Sequence, residues 1–153
     1  MFVLGLPRSR TAWFSAFLSQ SGIKFYHEGI NGCRDIVQYT EKMKGCGDCT
    51  TAFCAIDFDR LFPDSKKVII EKSDDEFNRA LEWCEKHYGG DGLSILKTME
   101  ERLDSIDGLR VKQSEINNNL EPIWKFLTNR AWDEKYADIK NLNIQVNLES
   151  IVI

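Results

Sequence analysis

The sequence has little of what several functional classes require. It contains two histidines, His27 and His87, which are too few for a histidine-rich metal site. No apolar run approaches the ~20 residues that a membrane-spanning helix needs, so we expect no membrane insertion. The apolar run of residues 2–6 precedes Pro7 and Arg8, the reverse of the order in a secretory signal. Because the cysteines number five, an odd count, we expect a reducing cytoplasmic compartment without a disulfide framework.

The net charge of the chain is also small. The formal net charge is −4, so the molecule as a whole is not the basic surface that nucleic acids attract. A nucleic-acid partner would need a local basic patch. Hydrophobic residues make up 42% of the chain and charged residues 29%, an ordinary balance for a globular protein. The 153 residues predict one domain over residues 1–153.

The apolar pattern changes from strand-like to helical and back along the chain. Phe2–Leu6 predicts a strand buried on both faces, and Thr11 or Ser9 can cap the helix that follows. Ile23–His27 predicts a second strand. The other predicted elements are a weak helix over 35–43, a loop over 45–51, a strand over 67–71, a helix over 74–88 with Phe77, Leu81, Cys84 and Tyr88 on its buried face, a flexible break over 89–92, a helix over 93–106, a short strand over 109–112, a helix over 120–127, a helical segment over 133–141 and a terminal strand over 142–153.

Strands that alternate with helices predict an α/β protein, a parallel sheet flanked by helices in three layers. Right-handed crossovers place the loop after each strand at the same edge of such a sheet. Ligands bind in the crevice at the carboxyl ends of the strands. The loop after the first strand is therefore the first candidate for a functional site.

That loop, residues 5–13, places two cations at the start of a helix. Arg8 and Arg10 lie where unpaired backbone N–H groups already carry partial positive charge, a repulsion of about 0.3–1 kcal/mol each at low salt. A bound anion would reverse the sign of these interactions. Ser9 and Thr11 add hydroxyl donors. The alternative is that both arginines point into solvent and Ser9 only caps the helix.

The loop is not that of the common ATPases. Their pattern, G-x-x-x-x-G-K-[ST], requires a glycine and then a lysine where this chain has Arg10 and Thr11. The lysine that grips the β- and γ-phosphates is missing. The sequence therefore disfavours hydrolysis of ATP or GTP.

The same segment resembles the 5′-phosphosulfate loop of sulfotransferases, G-x-P-[KR]-S-G-T-T-W. The matching positions are Gly5, Pro7, Arg8, Ser9, Thr11 and Trp13. Arg10 replaces the glycine and Ala12 replaces the second threonine. The resemblance, which is to small, phage-type members, implies a P-loop-like fold and 3′-phosphoadenosine 5′-phosphosulfate (PAPS) as the nucleotide donor. It implies that residues 7–13 hold the phosphosulfate, with Arg8 near the transferred sulfuryl group and Trp13 beside the adenine.

A partial match follows the predicted strand over 67–71. The family has an arginine soon after this strand and a serine eight residues later, both on the 3′-phosphate. These positions fall on Lys72 and Ala80, and Arg79 is the candidate substitute for the serine. Only Arg130 stands loosely for the family's C-terminal basic segment.

A general base for the acceptor is expected at the end of the second predicted strand. His27 and Glu28 lie there, and sulfotransferases use histidine or glutamate in this role. The resemblance favours Glu28. The alternative is that His27 only ends the strand and Glu28 is solvated.

Cys46 and Cys49 form a C-x-x-C pair that Cys33 and Cys54 could extend to four thiolates. The second pair lacks the C-x-x-C spacing, so we expect no metal site. Asp48 and Thr50 are expected to line the pocket instead.

The favoured hypothesis is a PAPS-dependent sulfotransferase that transfers a sulfuryl group to a hydroxyl or amine acceptor, with Arg8, Glu28 and His27 as catalytic residues. A nucleotide kinase-like phosphotransferase is the alternative on the same architecture. A third class is a non-catalytic protein that binds a nucleotide or a protein partner, for instance a virus-encoded factor in the host cytoplasm. Because the loop departs from the family pattern, this third class stays open; the departures are at Arg10, Ala12, Lys72 and Ala80.

Overall fold

A computed structural model describes residues 1–51 and 56–138. The strands are β1 (Phe2–Gly5), β2 (Phe25–His27), β3 (Gly47–Thr50), β4 (Lys67–Glu71) and β5 (Leu109–Lys112). The α-helices are α1 (Thr11–Ser19), α2 (Ile36–Lys42), α3 (Phe58–Leu61), α4 (Asp74–Tyr88), α5 (Gly92–Asp104) and α6 (Leu120–Thr128), and 3₁₀ turns span Gly89–Asp91, Gln113–Asn118 and Glu134–Ala137. No helix in the described ranges combines the length and apolar character needed to span a membrane.

The five strands form one sheet in the order β2-β3-β1-β4-β5, and every neighbouring pair is parallel. β1 is the central strand, with Val3 opposite Cys49 of β3 on one side and Val68 of β4 on the other. The predicted α/β class with a parallel sheet is confirmed. All five carboxyl ends therefore meet at one edge.

Helices cover both faces of the sheet. One face packs under α1 and α6, where Val3 of β1 contacts a core that includes Phe17 and Trp124. The other packs under α2, α4 and α5, where Leu4 shares a core with Tyr39 and Leu96. The chain thus leaves β1 toward the first face and leaves β3 and β4 toward the second. Neighbouring connections that diverge in this way open a crevice at the end of β1.

The predicted loop over 45–51 is wrong, because residues 47–50 form β3, buried between β2 and β1. Its sequence, Gly-Asp-Cys-Thr, lacks the apolar run of a central strand. Asp48 and Thr50 are nonetheless fully buried, because each has a hydrogen-bonding partner inside the fold. Such partners are contributed by other segments and leave no local signal.

One expectation about α4 needs correction. Its bounds are those predicted, but Tyr88 is 52% exposed rather than buried, and Ala80 and Cys84 form the inner face. The predicted break after it is a 3₁₀ turn over Gly89–Asp91, which separates α4 from α5. Toward the C-terminus, only Glu134–Ala137 forms a helical turn among the described residues of the predicted helix over 133–141. The predicted strand over 142–153 lies outside the described residues.

Candidate functional site

The loop after β1 is a tight turn with unusual backbone geometry. The Ser9 nitrogen donates to the Leu6 carbonyl oxygen at 3.2 Å, which closes a four-residue turn around Pro7 and Arg8. Arg8 has φ of 68° and Arg10 has φ of 60°, both in the left-handed region that glycine prefers. Turns of this kind, with proline second and a positive φ third, usually carry glycine or asparagine at the third position. Two arginines in this conformation store strain, a feature that clusters at functional sites.

The conformation of Arg10 bears on the resemblance. The sulfotransferase loop has glycine at this position, and Arg10 keeps a left-handed backbone despite its side chain. Relative to the family's glycine, Arg10 therefore adds a positive charge to the loop. Its φ and ψ angles stay in the left-handed region that glycine favours.

Gly5 and Ser9 approach each other at the base of this turn. A Cβ on Gly5 would lie 2.7 Å from the Ser9 Cβ and 2.9 Å from its Oγ. Ser9 is 1% exposed, and its hydroxyl has no hydrogen-bond partner. The expectation that Ser9 or Thr11 caps α1 is therefore wrong: Arg10 is the N-cap residue, and no side chain caps this helix end. The backbone N–H groups of the first turn of α1 are left without partners within the helix.

Gly5→Ala should displace this turn. The added methyl group meets Ser9 inside a packed loop, where overpacking typically costs about 1–3 kcal/mol. We expect a lower free energy of unfolding, measured by urea denaturation, and loss of anion binding. Gly90→Ala is the matched control, because no atom lies within 4 Å of its Cβ position and it should leave both properties unchanged. An unaltered Gly5→Ala protein would contradict the close approach.

A cleft of about 1020 Å³ opens over this turn at the carboxyl edge of the sheet. Its lining brings together the predicted residues Pro7, Arg8, Arg10, Thr11, Ala12, Trp13, His27 and Glu28. Ser9, Lys72 and Arg79 are not among the described residues that line it. Trp83 and Tyr88 of α4 also line the cleft and were not candidates from the sequence, because the helical period of α4 resembles that of an ordinary core helix.

His27 and Glu28 both face the loop region, but in different ways. His27 is exposed at the end of β2, and its Nε2 lies 3.2 Å from the Thr11 Oγ1. The Glu28 carboxylate accepts hydrogen bonds from the Thr50 Oγ1 at 2.7 Å, the Thr51 nitrogen at 2.8 Å and the Thr51 Oγ1 at 3.1 Å. A carboxylate has about four acceptor positions, so one direction is left for a ligand. Glu28 is thus oriented by the end of β3 and is not simply solvated.

A buried carboxylate behind the cleft fixes the segment that carries Glu28. Both oxygens of Asp48 accept from the Gly29 nitrogen, at 2.9 and 3.0 Å, and Oδ2 also accepts from the Tyr39 hydroxyl at 2.7 Å. Burial raises the pKa of Asp48 to about 6, and burial also raises the pKa of Tyr39. The expectation that Asp48 and Thr50 line the pocket is wrong. Instead, Asp48 accepts a hydrogen bond from Gly29, and Thr50 donates one to Glu28.

The predicted 3′-phosphate residues form a cationic group beside the cleft. The Lys72 Nζ donates to the Gln113 Oε1 at 2.8 Å. Burial is the main reason that the pKa of Lys72 falls to about 8; Glu76 opposes the shift, and the charges of Arg79 and Arg8 add to it. Ala80, at the family's serine position, is fully buried and offers no contact to a ligand. Arg130 is exposed beyond α6 and lies outside the cleft lining.

Lys72 provides a test of anion binding through pH. An anion beside Lys72 favours the charged amine and raises its pKa toward the usual 10.5. Between pH 8 and 10, binding should therefore take up protons, and affinity should fall as pH rises; near pH 7 the amine is already charged. Calorimetric titration with PAP, the desulfated product of PAPS, at pH 9 in two buffers of different ionisation enthalpy measures the uptake. Lys72→Met should abolish it, and equal uptake by Lys72→Met would place the titrating group elsewhere.

The Trp13 ring contacts residues before and after it along the chain. Its ring stacks on Phe17 at 5.0 Å with an interplanar angle of 18°, and the Arg10 guanidinium lies 4.4 Å from its centroid. Arg10 is also tied to the Asn117 Oδ1 at 3.3 Å. Because Phe17 and Arg10 both pack on the Trp13 ring, a ligand in the cleft meets the edge of the indole rather than its face.

The four cysteines in the described ranges are free thiols. Within residues 1–51 and 56–138, no group of three or more histidine, cysteine or acidic side chains could hold a metal ion. Cys49 is fully buried in the core under α1, and burial raises the pKa of its thiol. Cys54 lies outside the described residues.

Comparison with protein-family models, with curated proteins and with solved structures finds no match to this chain. The geometry of the cleft and the resemblance of its first loop are therefore the basis for a functional proposal.

Proposed function

We propose that the chain is a sulfotransferase-like protein with a P-loop-like fold that binds PAPS and transfers its sulfuryl group to a hydroxyl or amine acceptor. One observation carries the proposal: a single cleft is lined both by Arg8 with the start of α1 and by His27 with Glu28. Arg8 and the start of α1 suit the binding of an anion. His27 and Glu28 suit the deprotonation of an acceptor.

The residues present fit a nucleotide with two anionic groups. The glycine-like backbone at Arg10, the close Gly5–Ser9 approach and the uncapped N–H groups of α1 together resemble a loop shaped around a phosphate. Lys72 and Arg79 provide a second cationic position near Arg8. When bound, the donor would supply the activated sulfuryl group.

The transfer needs three contributions from the protein. Arg8 and the N–H groups of α1 would stabilise the charge that develops on the departing phosphate oxygen as its bond to sulfur breaks. Glu28, or His27, would take the proton from the acceptor as the new oxygen–sulfur or nitrogen–sulfur bond forms. The three hydrogen bonds from Thr50 and Thr51 would keep the Glu28 carboxylate in line.

A calorimetric titration tests the proposal. PAP, the desulfated product, should bind at least about tenfold more tightly than ADP, because only PAP has a 3′-phosphate for Lys72 and Arg79. Tighter binding of ATP with magnesium than of PAP would favour a nucleotide kinase-like phosphotransferase and overturn the proposal. No binding of any of these nucleotides at millimolar concentration would indicate a non-catalytic protein that binds another partner.

A further inference from the structure

The cleft has a second wall that the resemblance does not explain. Trp83 and Tyr88, near the C-terminal end of α4, line the same cleft as Arg8 and Glu28. Tyr88 is 52% exposed, and Trp83 is half-buried. Large aromatic side chains left open on the wall of a cleft are typical of ligand contacts.

The two rings form a corner. The Trp83 ring stacks on His87 with a centroid distance of 4.0 Å and an interplanar angle of 22°, and the His87 Nδ1 lies 2.7 Å from the Trp83 carbonyl oxygen. The Tyr88 ring stands at 72° to Trp83 with centroids 6.1 Å apart. Because the stacking on His87 restricts the indole, less of its side-chain freedom is lost when a ligand packs against this corner.

The indole of Trp83 also has an unused donor. Its Nε1 makes no hydrogen bond within the described residues, whereas the Nε1 of the core residue Trp124 donates to the Ala131 carbonyl oxygen at 3.0 Å. Trp83 thus combines an apolar surface with a free N–H group, as residues at binding surfaces commonly do.

The corner shares the cleft with the residues that suit an acceptor. Lys72 and Arg79, which suit a 3′-phosphate, do not line the cleft, whereas Glu28 does. The acceptor must reach Glu28 or His27, and both line the same cleft as the corner.

We propose that Trp83 and Tyr88 form the acceptor subsite and that it takes an uncharged planar ring bearing a hydroxyl group. This inference rests on the proposed function. An aromatic ring can stack on one wall of the corner and meet the other edge to face, while its hydroxyl group is directed toward Glu28 and His27. A saturated ring cannot make this pair of contacts.

The test is a titration of 2-naphthol into the protein saturated with PAP. We expect 2-naphthol to bind and its saturated counterpart, decahydro-2-naphthol, to bind more weakly. Trp83→Ala and Tyr88→Ala should each weaken 2-naphthol binding by about tenfold while PAP affinity changes by less than about twofold. Trp83→Phe should retain most of the affinity. Leu93→Ala, an exposed apolar residue of α5 outside the cleft lining, is the matched control.

Three outcomes would overturn the inference. Equal binding of the planar and the saturated alcohol would exclude recognition of an aromatic ring. Unchanged 2-naphthol affinity in both alanine variants would exclude the corner, and Tyr88→Ala is exposed enough to keep the fold if Trp83→Ala does not. A loss of PAP affinity in these variants would show that the corner holds the nucleobase instead.

Failure of the proposed function gives a different result. If PAP does not bind to the unmodified protein, the proposed donor is wrong. The titration with 2-naphthol is then made on the free protein, where selective, Trp83-dependent binding would support an aromatic subsite and its absence would reject one.

Discussion

Replacing Arg8 by alanine is expected to weaken PAP binding by at least about 100-fold, or about 2.7 kcal/mol. Arg8 is an exposed cation at the apex of the turn after β1, inside the cleft and close enough to Lys72 to lower its pKa. A guanidinium gives charge-assisted, bidentate hydrogen bonds to phosphate, each stronger than a neutral one. Calorimetric titration of the variant with PAP measures the loss.

Two further variants separate the charge of Arg8 from its backbone. Arg8→Gly removes the same charge but relieves the left-handed strain at φ of 68°, so Arg8→Ala and Arg8→Gly should lose affinity together if charge is the cause. Arg60→Ala is the matched control, since Arg60 is an exposed arginine of α3 paired with Asp57 at 3.5 Å, away from the cleft. Undiminished PAP binding by both Arg8 variants would remove the basis for the proposed anion site.

Glu28→Gln is expected to slow turnover by about 100- to 10,000-fold while leaving PAP affinity within about twofold. The amide cannot accept the acceptor proton. Its carbonyl oxygen can still accept from the Thr51 nitrogen, and the Thr50 hydroxyl can rotate to accept from the amide group, so the side chain should keep its place. Turnover with saturating PAPS and 2-naphthol measures the effect.

His27→Asn gives the comparison that identifies the base. The His27 ring lies against Thr11, so this variant should reduce turnover less than Glu28→Gln if Glu28 takes the proton. The opposite ranking would assign the base to His27. Turnover that is unaffected in both variants would mean that neither residue acts as the base.

The first loop shows how much local sequence can predict. Its nine residues are contiguous, and the order of its glycine, proline, arginine and hydroxyl residues predicts an anion site. The structure confirms that the loop follows a buried strand and opens a helix. The prediction that Ser9 caps α1 is wrong. The Ser9 hydroxyl is packed against Gly5 in the interior and makes no hydrogen bond to the helix. That contact depends on the turn itself, which residue types alone do not specify.

The third strand shows where sequence reasoning stops. Asp48 and Thr50 resemble loop residues until Tyr39, Gly29 and Glu28 are placed around them. A buried polar group is stable only when it is paired, and here the partners are 9 to 22 residues away along the chain.

Local sequence patterns predict the α/β class, the strong strands β1 and β4, the bounds of α4 and the cationic loop, because each depends on residues that are neighbours along the chain. The folded arrangement was needed to show that β1 lies at the centre of the sheet, that Thr50 and Thr51 orient Glu28, and that Trp83 and Tyr88 line the same cleft. These features arise from parallel crossovers, which bring distant segments to one edge of the sheet and so cannot be read from local pattern.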